Sequence, residues 1–311
     1  MNMENKYGEP YRYDSRFVAD RRKLQSIDRF EKKQKIKPYK GKYYGNYISN
    51  GENTGVNFLR DYIFEYAKKR VKEKKPYETI NSDRLYNNLL SSQPMAFNLF
   101  YPLKKMLEED NLKATKVIQM SLPEIPIHKV TNVDIEFIPE DYEELTGDLT
   151  AMDAIIEFED KEGNSCFVAI ETKYSENLGV NEASIKKDKK HPKEILKELQ
   201  LFVSDIEEKI EKKEIKLTQI YRNFILSERY GNKYKKKSYS IILAPKDHPS
   251  TEKEKESLLQ YLKPEYRYKL NVVDIESFVS KLIINSEGDY KYVFEEFDDR
   301  YLNLSKLEYT R

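Results

Sequence analysis

The sequence predicts an α/β protein with a central mixed β-sheet flanked by helices and a basic N-terminal extension. Two observations carry this. Short apolar runs alternate with longer stretches of three-and-four apolar spacing, in the order helix, several strands, helix, strand, helix, strand, helix. Between two of the strand-like runs lies a turn, DKEGN, whose Gly163 suits a positive φ.

The elements follow in order. The stretch to about Asn53 is rich in Tyr, Lys and Arg, and Gly41, Gly45, Gly51 and Gly55 punctuate its end. It reads as an arm with one helix over 16–35. A helix fits 56–74, where Phe58, Leu59, Tyr62, Ile63 and Tyr66 share a face and Pro76 stops it. Over 89–110, Ser92 is placed to cap a helix and Phe97, Phe100, Leu103, Met106 and Leu107 form its apolar stripe, with Pro102 expected to bend or split it. Strands are expected at 133–138, Met152–Glu159, 166–173, 239–244 and Leu270–Asp274. Later helices fit 192–211, 218–228, 252–261 and 275–284.

Composition sets outer limits. The chain has 311 residues, enough for a sizeable core, in one large domain or two modest ones. No apolar run approaches a membrane span, and the opening residues lack the apolar stretch of a secretory signal. The single cysteine, Cys166, excludes a disulfide framework, so a soluble cytoplasmic protein is expected. The net charge of +1 hides an asymmetry: residues 1–47 hold 13 Lys/Arg against 6 Asp/Glu, whereas residues 133–162 hold 12 Asp/Glu against one Lys. That pairing suggests a polyanionic partner and a cation site.

The chemistry concentrates between Met152 and Glu176. If the DKEGN turn closes a hairpin, Ala154, Ile156 and Phe158 lie opposite Ile170, Val168 and Cys166, one continuous apolar face. The same register sets Asp153 opposite Glu171, with Lys173 two residues on and sharing its face. Like charges directly opposed in a sheet are destabilising. A hard divalent cation supplies a reason for them, since Mg²⁺ is held by one or two carboxylates with water and phosphate oxygens. Acid-x-Lys triplets recur in this chain, at Glu31/Lys33 and Asp289/Lys291 for example. Position singles out Glu171/Lys173, at the end of the strand CFVAI. Asp148 is the alternative first acid if the strand begins earlier. Glu176 reads as a surface residue, and His128, His191 and His248 lack zinc spacing.

At these residues the sequence resembles the PD-(D/E)XK nuclease superfamily and its bacterial restriction-endonuclease-like families. The likeness extends to SSQPMAFNLF (residues 91–100), IETKYSE (170–176) and QIYRNFILSER (219–229), and covers about 85–274. It implies a restriction-endonuclease-like core over 81–311, with 1–80 as the basic arm and accessory helices. It further implies that Asp153 and Glu171 are metal ligands, with the Thr172 carbonyl a third donor. Lys173 would position or deprotonate the attacking water, and Gln219 would brace the site. Many members carry a glutamate on the leading helix, where this chain offers Gln93 and Asn98; these two and Arg222 are the candidates for substrate contact.

The resemblance thus points to a Mg²⁺-dependent DNA endonuclease, with Mn²⁺ able to substitute. Cutting both strands would ask for a homodimer. The chain has no phosphate loop, so no nucleotide cofactor is expected. The rival readings are a non-catalytic nucleic-acid-binding protein of the same fold and an RNA-directed nuclease.

Overall fold

Val, Ile and Phe dominate the runs that become strands, and their side chains find cover on both sheet faces. The computed structural model describes residues 6–147, 149–176, 196, 198–212, 214 and 218–310. In chain order the helices before the sheet are α1 (Arg16–Glu31), α2 (Gly51–Thr54), α3 (Asp61–Lys72), α4 (Ser82–Asn87), α5 (Ser92–Glu109) and α6 (Asn111–Ser121). Then come β1 (Lys129–Phe137), α7 (Tyr142–Leu145), β2 (Met152–Glu159), β3 (Ser165–Thr172), α8 (Ile206–Glu211) and α9 (Gln219–Tyr234). The chain ends with β4 (Lys237–Ala244), α10 (Thr251–Leu259), β5 (Leu270–Asp274), α11 (Ile275–Asn285) and α12 (Gly288–Tyr301).

Among the described residues the strands form one five-stranded sheet in the order β1-β2-β3-β4-β5. The first three are antiparallel and the last three parallel, so the sheet is mixed about β3. After Ser165, β3 is buried at every position. Its alternate residues enter different clusters: Cys166, Val168 and Ile170 pack in the main core with α5, while Phe167 and Ala169 pack with Leu226 and Tyr230 of α9. Two covered faces explain why this strand reads as a continuous apolar run.

Several elements depart from the sequence reading. The helix expected over 192–211 is broken: residues 192–195 lie outside the described residues, Gln200 has φ +52, and α8 is short. The intervening residues pair instead with 261–263, through Val203 N to Tyr261 O and Lys263 N to Leu201 O, both 2.9 Å. Pro102 does not split α5, which is capped by Ser91 rather than Ser92. The unforeseen α6 is capped by the Asp110 carboxylate, which accepts from Lys113 N at 3.0 Å. A helix likewise forms at α12, where none was foreseen.

One buried arginine ties the ends of the chain together. Arg300 of α12 donates to Asn57 O at 3.0 Å and Asn57 Oδ1 at 2.5 Å, and lies 3.6 Å from Asp28 of α1. Gln25 of α1 donates to Arg300 O and to the Tyr174 hydroxyl, both at 2.9 Å. Tyr174 OH donates in turn to Tyr301 O at 3.1 Å. The residue that follows Lys173 is therefore anchored to both α1 and α12. No described helix is long and apolar enough to cross a membrane.

Replacing Arg300 with Ala strips a partner from Asp28 Oδ2, from Asn57 O and Oδ1 and from Gln25 Oε1, although Lys32 still meets Asp28 Oδ1. A loss of about 3 kcal/mol or more is expected, the usual cost of breaking a buried ion pair from one side. Urea denaturation at neutral pH measures it, and a loss below about 1 kcal/mol would remove Arg300 from this role.

Candidate active site

The Asp160 side chain locks the β2–β3 turn. Its Oδ1 accepts from Glu162 N at 3.0 Å and Asn164 N at 2.9 Å, and Gly163 takes φ +80. The pairings are those the apolar pattern predicts: Ala154 with Ile170, Ile156 with Val168, Phe158 with Cys166. Continued by one residue, that register sets Asp153 level with Glu171. Asp153 Oδ2 accepts from both the amide and the hydroxyl of Thr172 at 2.7 Å each.

Lys173 continues the parallel ladder, its N–H donating to Leu243 O at 2.8 Å, and its side chain is buried. The ammonium lies 2.5 Å from Glu171 Oε1 and donates to Gln219 Oε1 at 2.8 Å. Gln219 begins α9, and Asn223, one turn later on the same face, donates to Glu171 Oε2. Asn223 went unnoticed in the sequence; its only signal there is the four-residue spacing from Gln219.

Burial, then the charge of Asp153, push the Glu171 carboxyl up to about 8, against the pull of Lys173. Burial also raises Asp153, although Lys173 and Thr172 oppose it. Burial works to lower Lys173, yet the charges of Glu171, Asp153 and Glu176 outweigh it and hold the ammonium. Lys173 thus acts on several carboxylates at once, while Arg84, 3.8 Å from Glu176, adds charge at its edge.

Glu136, in β1, was also missed. It is buried, hydrogen-bonds Gln93, and burial followed by the charge of Asp153 pushes it up to about 8. Its φ of +53 is left-handed, unusual for a non-glycine residue inside a strand. There the strand switches faces: Ile135 joins the core under α5, whereas Phe137 packs on the opposite side with Tyr230. Glu176, expected at the surface, is half-buried at the start of α5, where it accepts from Ser92 N at 2.8 Å, Ser175 N at 3.1 Å and Tyr174 N at 3.2 Å.

The remaining candidates divide. Gln93 is at the site, accepting from Asn81 N at 3.2 Å as well as meeting Glu136. Asn98 is not: it is fully buried, accepts from Leu59 N at 3.0 Å, and donates to Asn57 O and Tyr301 OH at 2.9 Å. Arg222 is half-buried on the first turn of α9. Asp148 and His191 lie outside the described residues, and His248 Nε2 sits 3.0 Å from the backbone of Glu176.

Among the described residues no three Asp, Glu, His or Cys side chains converge into a ready-made metal cage. The donor set nevertheless fits a hard divalent cation. Asp153 and Glu171 offer oxygens, and Glu171 Oε1 is buried without a well-formed hydrogen bond, its charge met only by Lys173. Such a site asks for waters and substrate oxygens to complete it.

A family model described as the PD-(D/E)XK nuclease superfamily matches residues 12–303, nearly the whole chain. The chain belongs to that superfamily, and its five-stranded mixed sheet flanked by helices is the corresponding restriction-endonuclease-like fold. Membership implies nuclease activity on a nucleic acid, in a superfamily that generally uses divalent metals. No curated protein and no solved structure matches the chain.

The raised Glu171 carboxyl makes metal-free stability depend on pH. Between its ordinary 4.5 and about 8, the folded protein binds more protons than the unfolded chain. Stability in EDTA should therefore fall as pH rises through that window. Glu171→Gln should reduce the slope in a melting series, with Glu136 keeping its own share, whereas an unchanged slope would assign it to other groups.

Proposed function

We propose that the chain is a Mg²⁺-dependent DNA endonuclease that hydrolyses phosphodiester bonds in a restriction or phage-defence setting in the cytoplasm. The observation that carries the reading is the buried Lys173 ammonium, braced by Gln219 and set beside the paired carboxylates of Asp153 and Glu171. Asp153 and Glu171 would hold the cation, with the Thr172 carbonyl as a third donor. When bound, the cation polarises the scissile phosphate and lowers the pKa of its water.

The chain's own groups do the rest. Lys173 stays protonated and donates, orienting the attacking water or neutralising a phosphate oxygen. Gln219 fixes the direction of that ammonium, and Asn223 fixes the Glu171 carboxylate. The Tyr-rich basic arm adds phosphate contacts whose strength falls steeply with salt. Two copies would be needed to cut both strands.

Plasmid and single-stranded DNA incubated with Mg²⁺, Mn²⁺ or EDTA test this reading. Cleavage should require metal, and Lys173→Ala should lower it by at least ~10²-fold while DNA binding persists. Wild-type cutting by that variant would assign the activity to other residues. A wild type that binds DNA with every metal but never cuts it would favour a binding role for the fold.

A further inference from the structure

We propose that Glu136 is a third acidic group of this site, binding the same divalent cation as Asp153 and Glu171; the inference rests on the metal-site reading above. Strand register supplies the first argument. Ile135 pairs with Ala154 and Phe137 with Met152, which sets Glu136 level with Asp153. Asp153 is level with Glu171 across the next ladder. Three adjacent strands therefore present one row of carboxylates at one height of the sheet.

The second argument comes from what each buried acid meets. Glu228 (2% exposed), Glu171 (4%) and Glu136 (5%) are similarly shielded. Glu228 is matched by Lys269 at 2.8 Å and Ser238 at 2.6 Å, and Glu171 by Lys173 and Asn223. Glu136 has Gln93, a neutral amide, and the more distant charge of Arg84; among the described residues no Lys or Arg forms an ion pair with its carboxylate. A charged carboxylate buried without an ion pair is costly, so this group either keeps its proton or takes a cation that arrives from solvent.

Access supplies the third. Glu136 lines a cleft of about 410 Å³, together with Arg70, Tyr77, Asp134 and Tyr230. Glu136 is thus largely shielded from bulk water yet borders a cleft. The three carboxylates do not converge in the structure, because Asp153 is turned onto Thr172 and Glu171 onto Lys173 and Asn223. Binding would draw them together, with Gln93 holding Glu136 from behind.

Calorimetric titration with Mn²⁺, alongside melting in EDTA, tests the proposal on the full chain. Glu136→Gln should fold, melt no lower than the wild type in EDTA, and bind Mn²⁺ at least ~10-fold more weakly. Glu228→Gln is the control for losing a buried acid, and should lower the melting temperature with Mn²⁺ affinity unchanged. Wild-type Mn²⁺ affinity in Glu136→Gln, with affinity lost in Asp153→Asn, overturns the role of Glu136 and leaves the site standing. Unchanged affinity in both variants removes the metal-site reading itself. Should Glu136→Gln fail to fold, Glu136→Asp keeps the charge on a shorter arm. Intermediate affinity there supports the proposal and wild-type affinity overturns it.

Discussion

The register of the β2–β3 hairpin is the constraint on which the rest of the site depends. A slip of one residue would turn Asp153 and Glu171 to opposite faces and bring Ala154, Ile156 and Phe158 out of the core. Two features hold it. The Asp160 carboxylate ties down Glu162 and Asn164, fixing the turn, and the apolar residues of both strands are buried against α5 on one side and α9 on the other. With register fixed, like charges must sit side by side, and the chain offsets them with one buried lysine.

That lysine is held from three directions. Its backbone is pinned to Leu243 of β4, its ammonium to Gln219 and Glu171, and its neighbour Tyr174 to α1 and α12. The polar network around Arg300 and Asn98 thus reaches the site through the backbone rather than through a ligand. Charged and amide groups buried there favour one arrangement of the chain ends over the alternatives. Gln219 and Asn223 act on the site from α9, the crossover helix between the two parallel strands β3 and β4.

Much of this was legible in the sequence. The alternation in MDAIIEFE and the apolar run CFVAI, joined by a glycine turn, fix a hairpin, and the hairpin fixes which carboxylates meet. What escaped depends on contacts between distant residues or on backbone that breaks the rule. Alternation in VDIEF makes Glu136 a solvent-facing residue, and only its left-handed φ carries the strand from one face to the other. Asn98 looked like a polar candidate on an apolar helix; its partners Asn57 and Tyr301 are remote in sequence, so its structural duty was invisible. Helix α6 was hidden because Asp110, which ends α5, also caps the next helix.

The central claim is that a divalent cation binds at the row of carboxylates crossing the antiparallel half of the sheet. Anomalous diffraction from crystals of the protein soaked in Mn²⁺ measures this directly. The account predicts a peak between Asp153 and Glu171, about 2.0–2.2 Å from a carboxylate oxygen of each. A well-occupied peak at other residues, or crystals saturated with Mn²⁺ that show none at this row, would contradict it.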